Sequence, residues 1–286
     1  MKKLLLGLAL SLLAVVGQAA QRPSNFKYSV PVAACPAGRG SGFCRPDYAQ
    51  RILADSPVAY WRLNEAAGST TAADLSGNGY TGTKAGGVTF GVASPQPDGS
   101  TAASSTGVDG SHVAIPATDV SPGGPLAAIQ GTSAITIEGW FNATTMTFPA
   151  NYRLGISFVG QGSSYMGFYD GFVGPTGVHP LAKLNIGGSQ QGIGDVGPAL
   201  TAGTWYLLDA TYDGASMKLY ENGVQIGTTL SASGTLDLGL GSHGMYIVGY
   251  VGTGGPYGWN GGMSNVAVYN YALTATQILD HWRIGQ

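Results

Sequence analysis

From about Tyr60 onward, apolar and polar positions alternate in short bursts, without the three-to-four spacing of a helix. The runs are VAYWRL (58–63), SHVAIP (111–116), AITIEGWF (134–141), TWYLLDATYD (204–213), SMKLYEN (216–222), GMYIVGY (244–250) and SNVAVYN (264–270). Gly, Pro, Asn or Asp bounds each one, the pattern of strands in an antiparallel sheet with one wet face. The clearest local signal is SMKLYENGVQIGT (216–228), where two strand-like runs flank Asn222-Gly223, a pair that tolerates the positive φ of a type I′ hairpin turn. One helix is expected, at the end of the chain: Thr274 caps ATQILDHWRI, and Ile278, Leu279 and Trp282 share a face. Residues 148–180 hold no clean period and read as loops over the sheet or an elaborated hairpin. Roughly a dozen short strands without βαβ alternation predict an all-β, two-sheet antiparallel jelly-roll sandwich over residues 51–286, with one short C-terminal helix.

Upstream of that pattern the chain changes character. Residues 1–20 carry Lys2 and Lys3, an apolar run from Leu4 to Val16, and small residues at Gly17, Ala19 and Ala20, which is the layout of a secretory signal peptide. The run is too short for a transmembrane span, so export without membrane insertion is expected, to the periplasm, the cell surface or the medium. Residues 21–50 read as an arm bearing proline and glycine, in which Cys35 and Cys44 form a local disulfide in an oxidising compartment.

Composition supports the β reading, because only 10% of residues are charged while glycine numbers 47. The full chain has 13 Lys+Arg against 15 Asp+Glu; losing Lys2 and Lys3 leaves 11 against 15, a net charge of about −4. No basic stripe offers itself to nucleic acid or to anionic lipid.

Residues 77–82 spell G-x-G-x-x-G. A dinucleotide loop needs a helix starting there, and TKAGGVTFG breaks every turn of one, so these glycines belong to turns. The longer stretch containing them, residues 53–83, together with AITIEGWF, residues 203–228 and residues 259–282, resembles the concanavalin A-like lectin/glucanase superfamily in its laminin G-like form. The resemblance spans about residues 50–284 and implies a two-sheet jelly roll. It also implies a structural calcium ion tying the D-x-SGNG turn to the last long strand, with Asp74 and Asn78 supplying oxygens. Where relatives carry an Asp-Glu pair before V-x-V-Y-N in that strand, this chain has Ser264-Asn265. The alternative for Asp74 is a turn cap.

Catalytic patterns are sparse. The paired strand carboxylates of a glucanase are missing as a motif; Glu138 stands alone at a position expected to face solvent, Glu65 reads as structural or as an extra oxygen ligand, and Asp213 reads as a turn former after Asp209. His112, His179, His243 and His281 show no metal spacing. His179 with Tyr165 or Tyr169 is the one pairing that would suit a polysaccharide lyase. What remains is recognition, by aromatic rings that stack on sugar faces and polar groups that hold hydroxyls. Two loops offer these, Tyr250, Tyr257 and Trp259 in residues 249–262, and Tyr165, Tyr169 and Asp170 in residues 163–172. The expected function is a non-catalytic module that binds a glycan or an extracellular protein. A lyase or glycoside hydrolase, and a structural protein of a surface or phage-like assembly, are the alternatives.

Overall fold

A computed structural model describes residues 47–115, 127–146, 152–158, 164–170, 177–194, 196–237, 244–249 and 258–286. The expected leader, the arm up to residue 46 with Cys35 and Cys44, and Tyr250 and Tyr257 lie outside the described residues. In chain order the elements are α1 (Tyr48–Ala54), β1 (Ala59–Trp61), β2 (Thr71–Ala72), β3 (Gly82–Ala85), β4 (Thr89–Ala93), β5 (Thr101–Thr106), β6 (His112–Ile115) and β7 (Ile135–Ala143). There follow β8 (Tyr152–Phe158), β9 (Ser164–Asp170), β10 (Val178–Ile186), β11 (Ser189–Gly194), β12 (Tyr206–Tyr212), β13 (Ser216–Glu221), β14 (Val224–Ser231), β15 (Met245–Ile247), β16 (Asn260–Tyr269) and α2 (Ala275–Ile284).

All strand pairings between these elements are antiparallel. The first sheet runs β14-β13-β12-β7-β16-β5-β4, with β1 also on β16, and the second runs β11-β10-β9-β8-β15-β6-β3-β2. Along one edge of β16, β5 takes residues 260–263 and β1 takes residues 266–268, and Asn265 at φ 52° breaks the register between them. Inward residues of both sheets, among them Trp61, Ile137, Phe141, Ile156, Phe158, Leu184, Tyr212 and Val268, join in one buried core. This is the predicted jelly-roll class. Within residues 148–180 the described segments form the elaborated hairpin, because β8, β9 and β10 pair in succession.

The Asn222-Gly223 turn takes the positive φ values its sequence requires, 52° and 81°, and joins Glu221 to Val224 in register. Helix α2 starts with a full capping box, Thr274 with Gln277.

Two expectations need correction. A second helix, α1, joins the C-terminal one and straddles the boundary at residue 51, its first three residues lying in the stretch read as arm. Asp47 nucleates it by accepting a 2.7 Å bond from the Ala49 amide. The first sheet also has no wet outer face at its centre. Helices α1 and α2 cover it, forming a second apolar cluster of Tyr48, Ile52, Tyr60, Trp140, Leu207, Tyr220, Tyr269 and Ile278. That is why β12 is buried at every position although its sequence alternates.

Candidate functional site

The outer face of the second sheet is built by strand alternation. On β10, Ala182, Leu184 and Ile186 enter the core, which turns His179, Lys183 and Asn185 to the other face. Register then aligns a row across the sheet: Lys183 opposite Tyr165, Tyr165 opposite Ser157, Ser157 opposite Tyr246, and Tyr246 opposite Ala114. His112 flanks this row, its ring meeting that of Tyr246 edge to face at 4.9 Å. Burial raises the Tyr246 phenol above its ordinary pKa, so it stays a hydrogen-bond donor. In the middle lies the Ser157 hydroxyl, 1% exposed and without a hydrogen-bond partner among the described residues. A buried hydroxyl in that state calls for a water or ligand atom. An open recess of about 490 Å³, lined by residues including Ser189, Gln191, Gly214 and Ser233, has neither charge nor aromatic ring.

The sequence-predicted ligand residues separate. Tyr165 and Tyr169 lie on β9, at register positions shared with Lys183 and His179 of that face, whereas Asp170 pairs with Val178 on the opposite pleat. Trp259 is a correction: it is fully buried, with its ring edge-on to Phe141 at 5.5 Å and its indole N–H donating to the Gly262 carbonyl at 3.2 Å. It is a core residue because strand β16 begins immediately after it and carries it inward.

Asp74 is the hub of its turn. Its Oδ1 accepts from the amides of Tyr60 (3.0 Å) and Ser76 (2.9 Å), and its Oδ2 from the Ser76 hydroxyl (2.8 Å) and the Tyr80 amide (2.9 Å). The Asn78 side-chain amide donates to the Val58 carbonyl at 2.8 Å, and Glu65 Oε1 accepts from the Ala73 amide at 2.8 Å. On the last strand, Asn265 Oδ1 accepts from the Tyr60 hydroxyl at 2.5 Å. This donor set does not fit a calcium ion, which wants six to eight oxygens free of competing N–H and O–H groups. Among the described residues no group of three His, Cys, Asp or Glu side chains gathers around one point. Asp213 is likewise the turn former its sequence suggests, with Oδ1 accepting from the amides of Ala215 and Ser216.

Glu138 is the second correction. Its carboxylate is fully buried, as is that of Asp209 directly opposite on β12. Glu138 accepts from the Tyr48 hydroxyl at 3.2 Å and lies 2.5 Å from His281 Nδ1, while His281 Nε2 lies 2.9 Å from Asp55 Oδ2. Strand alternation puts Glu138 at a position that looks wet, and only the helices that seal it and Asp209 reveal otherwise. His281 had a readable signal, since it falls three residues after the buried Ile278 on the apolar face of α2.

The family model described as the concanavalin A-like lectin/glucanases superfamily matches residues 106–279. A search of the curated proteins gives no match. Among solved structures, domain 4 of AbnA, an extracellular arabinanase from Geobacillus stearothermophilus, in complex with arabinotriose, is 17% identical, with a TM-score of 0.54 over 81% of this chain and 98% of that one. The binding domain of Paraclostridial Mosquitocidal Protein 1 is 15% identical, with a TM-score of 0.58 over 80% of this chain and 52% of that one. A sialidase from Trypanosoma rangeli is 14% identical, with a TM-score of 0.55 over 80% of this chain and 33% of that one. The chain thus spans about half of the second and a third of the third. At these identities the likeness shows the fold.

Proposed function

The chain belongs to the concanavalin A-like lectin/glucanases superfamily, and from that premise we propose that it is an exported, non-catalytic module that binds carbohydrate on the outer face of its second sheet. The observation that carries this reading is the row from Lys183 through Ser157 to Tyr246, with the His112 ring beside it. It combines aromatic surface for a sugar ring with hydroxyl, ammonium and imidazole groups for its oxygens. The buried acids Glu138 and Asp209 lie under two helices, out of reach of a substrate. The arabinotriose complex of the AbnA domain supports a glycan ligand at the level of the fold, and the lysine-led apolar run of residues 1–20 supports export.

The test is a glycan array probed with the mature protein and with Tyr246→Ala. Saturable binding by the wild type, weakened at least about tenfold in the variant, is expected for loss of one stacking side chain. A wild-type protein that binds no glycan on the array would sink the reading and leave an extracellular protein as partner.

A second reading rests on one observation, that register sets His179 opposite Tyr169. That juxtaposition suits proton abstraction in a polysaccharide lyase. Ultraviolet absorbance of an unsaturated product, appearing with an acidic polysaccharide and lost in His179→Ala, separates it from binding alone.

A further inference from the structure

Helices α1 and α2 are far apart in sequence yet cover the same face of the first sheet, and one line of polar groups joins them to it. It runs from Asp209 on β12 to Glu138 on β7, then to His281 on α2, Asp55 at the end of α1 and Arg51 within α1, the last pair at 2.7 Å. Tyr48 of α1 completes it, donating to Glu138 and accepting a 2.9 Å bond from the Trp140 indole. The geometry fixes the protons. Both ring nitrogens of His281 face carboxylate oxygens, and only an imidazolium can donate from both. Among the described residues no N–H or O–H of another group reaches either oxygen of Asp209, so the two facing acids are satisfied only when Asp209 holds a proton and gives it to Glu138. The closed arrangement therefore needs two protons, at side chains that are completely buried. Without them, uncompensated negative charge would sit among Tyr60, Trp140, Leu207 and Ile278.

Neither helix can stand alone. With 7 and 10 residues, α1 and α2 are below the length at which isolated helices persist in water. Docking and helix formation are one event.

We propose that the Asp209–Glu138–His281–Asp55 line is a proton-gated latch: in its two-proton form it clamps α1 and α2 onto the first sheet, and loss of those protons frees both helices together, uncovering the aromatic face around Trp140 while the core between the sheets stays folded. Electrostatics agrees in sign. Burial alone would lower the His281 pKa, but the Glu138 charge and the hydrogen bonds the ring donates to Asp55 and Glu138 outweigh it and raise it to about 9. Burial, and then Glu138, push Asp209 well above the usual carboxylate range. Both groups hold protons more tightly when folded; the His281 share of the closure is complete below 6.5 and is lost as pH rises through about 9, and loss of the Asp209 proton acts in the same direction. The other groups facing the line are Arg51 of α1 and four phenols. Tyr48, Tyr60 and Tyr269 are driven well above 10 by burial and Tyr220 is raised, so they stay neutral through that window.

Hydrogen exchange read by mass spectrometry, with protection corrected for the intrinsic rate at each pH, tests the proposal. Between pH 7 and about 10.5, residues 48–55 and 275–284 of the wild type should lose protection together, by at least about tenfold, while β7 and β12 keep theirs. His281→Gln removes one of the two titrating groups, leaves Asp209 as the other, and should make the opening shallower with pH than it is in the wild type. Asp209→Asn carries its donor permanently and should move the opening to higher pH. The proposal is overturned if the wild-type helices stay protected throughout, if they open at separate pH values, if they open only with the strands, or if His281→Gln titrates as the wild type does.

Discussion

Replacing Asp74 by alanine removes the acceptor of four hydrogen bonds at once, and three of the four donors are backbone amides, of Tyr60, Ser76 and Tyr80. Tyr60 is fully buried, so its amide is left without a partner at a cost of about 2 kcal/mol. Ser76 and Tyr80 lie in a turn that water reaches, and each lost bond there costs roughly 0.5–1 kcal/mol. The sum over one buried and three exposed bonds is about 3.5–5 kcal/mol. Asp74→Asn keeps one oxygen for Tyr60 and Ser76 but sets an amide N–H against that of Tyr80, and about 1.5–2 kcal/mol is expected. Urea unfolding of the wild type and both variants, in chelator and again with excess calcium, reads these values. If the carboxylate organises the turn, the wild type has the same midpoint in both buffers and the variant losses do not depend on calcium. The reasoning fails if Asp74→Ala stays within about 0.5 kcal/mol of the wild type. It fails differently if chelator alone destabilises the wild type by as much as the mutation does, because Asp74 would then be holding an ion.

Stability should fall at both ends of the pH scale. Despite the opposing effect of burial, hydrogen bonds hold Asp55, Asp98 and Asp213 below the usual carboxylate range, so their contribution is complete above 3.8 and is lost as pH drops through their folded values. His281 contributes most below 6.5 and loses its share as pH climbs through about 9, a contribution on the order of 2 to 3 kcal/mol at pH 7. Urea midpoints taken across pH should show an alkaline limb that His281→Gln flattens, and a midpoint that rises from pH 7 to 9 in the wild type would contradict this sign. Trp259→Ala should cost about 3–5 kcal/mol through the cavity left against Phe141; a change in midpoint too small to measure would return Trp259 to the surface.

Short-range rules made the sandwich legible. Asn222-Gly223, the Thr274 capping box and the alternating runs each depend on residues a few positions apart, and each took the conformation its chemistry dictates. Helix α1 escaped because it has a single strong local signal, the Asp47 cap, and is only 7 residues long. The misread positions share a different cause. Alternation reports polarity, and a polar residue at an outward position reads as wet unless something covers it. Glu138 is covered by side chains 90 and 143 residues away, Tyr48 and His281, and no window of sequence brings those together. The same limit applies to the outer face of the second sheet, where Lys183 and Tyr246 come into one row only through the register of β9 and β8 between them. Local pattern therefore predicts which strands exist, while the pairing order decides which acids are sealed and which rings and hydroxyls share a surface. A candidate binding face on a fold of this kind is a property of register, and substitutions that shift register, such as any side chain at Gly261, where a Cβ would lie 1.9 Å from the Asn142 carbonyl oxygen, would disturb the first sheet without touching that face.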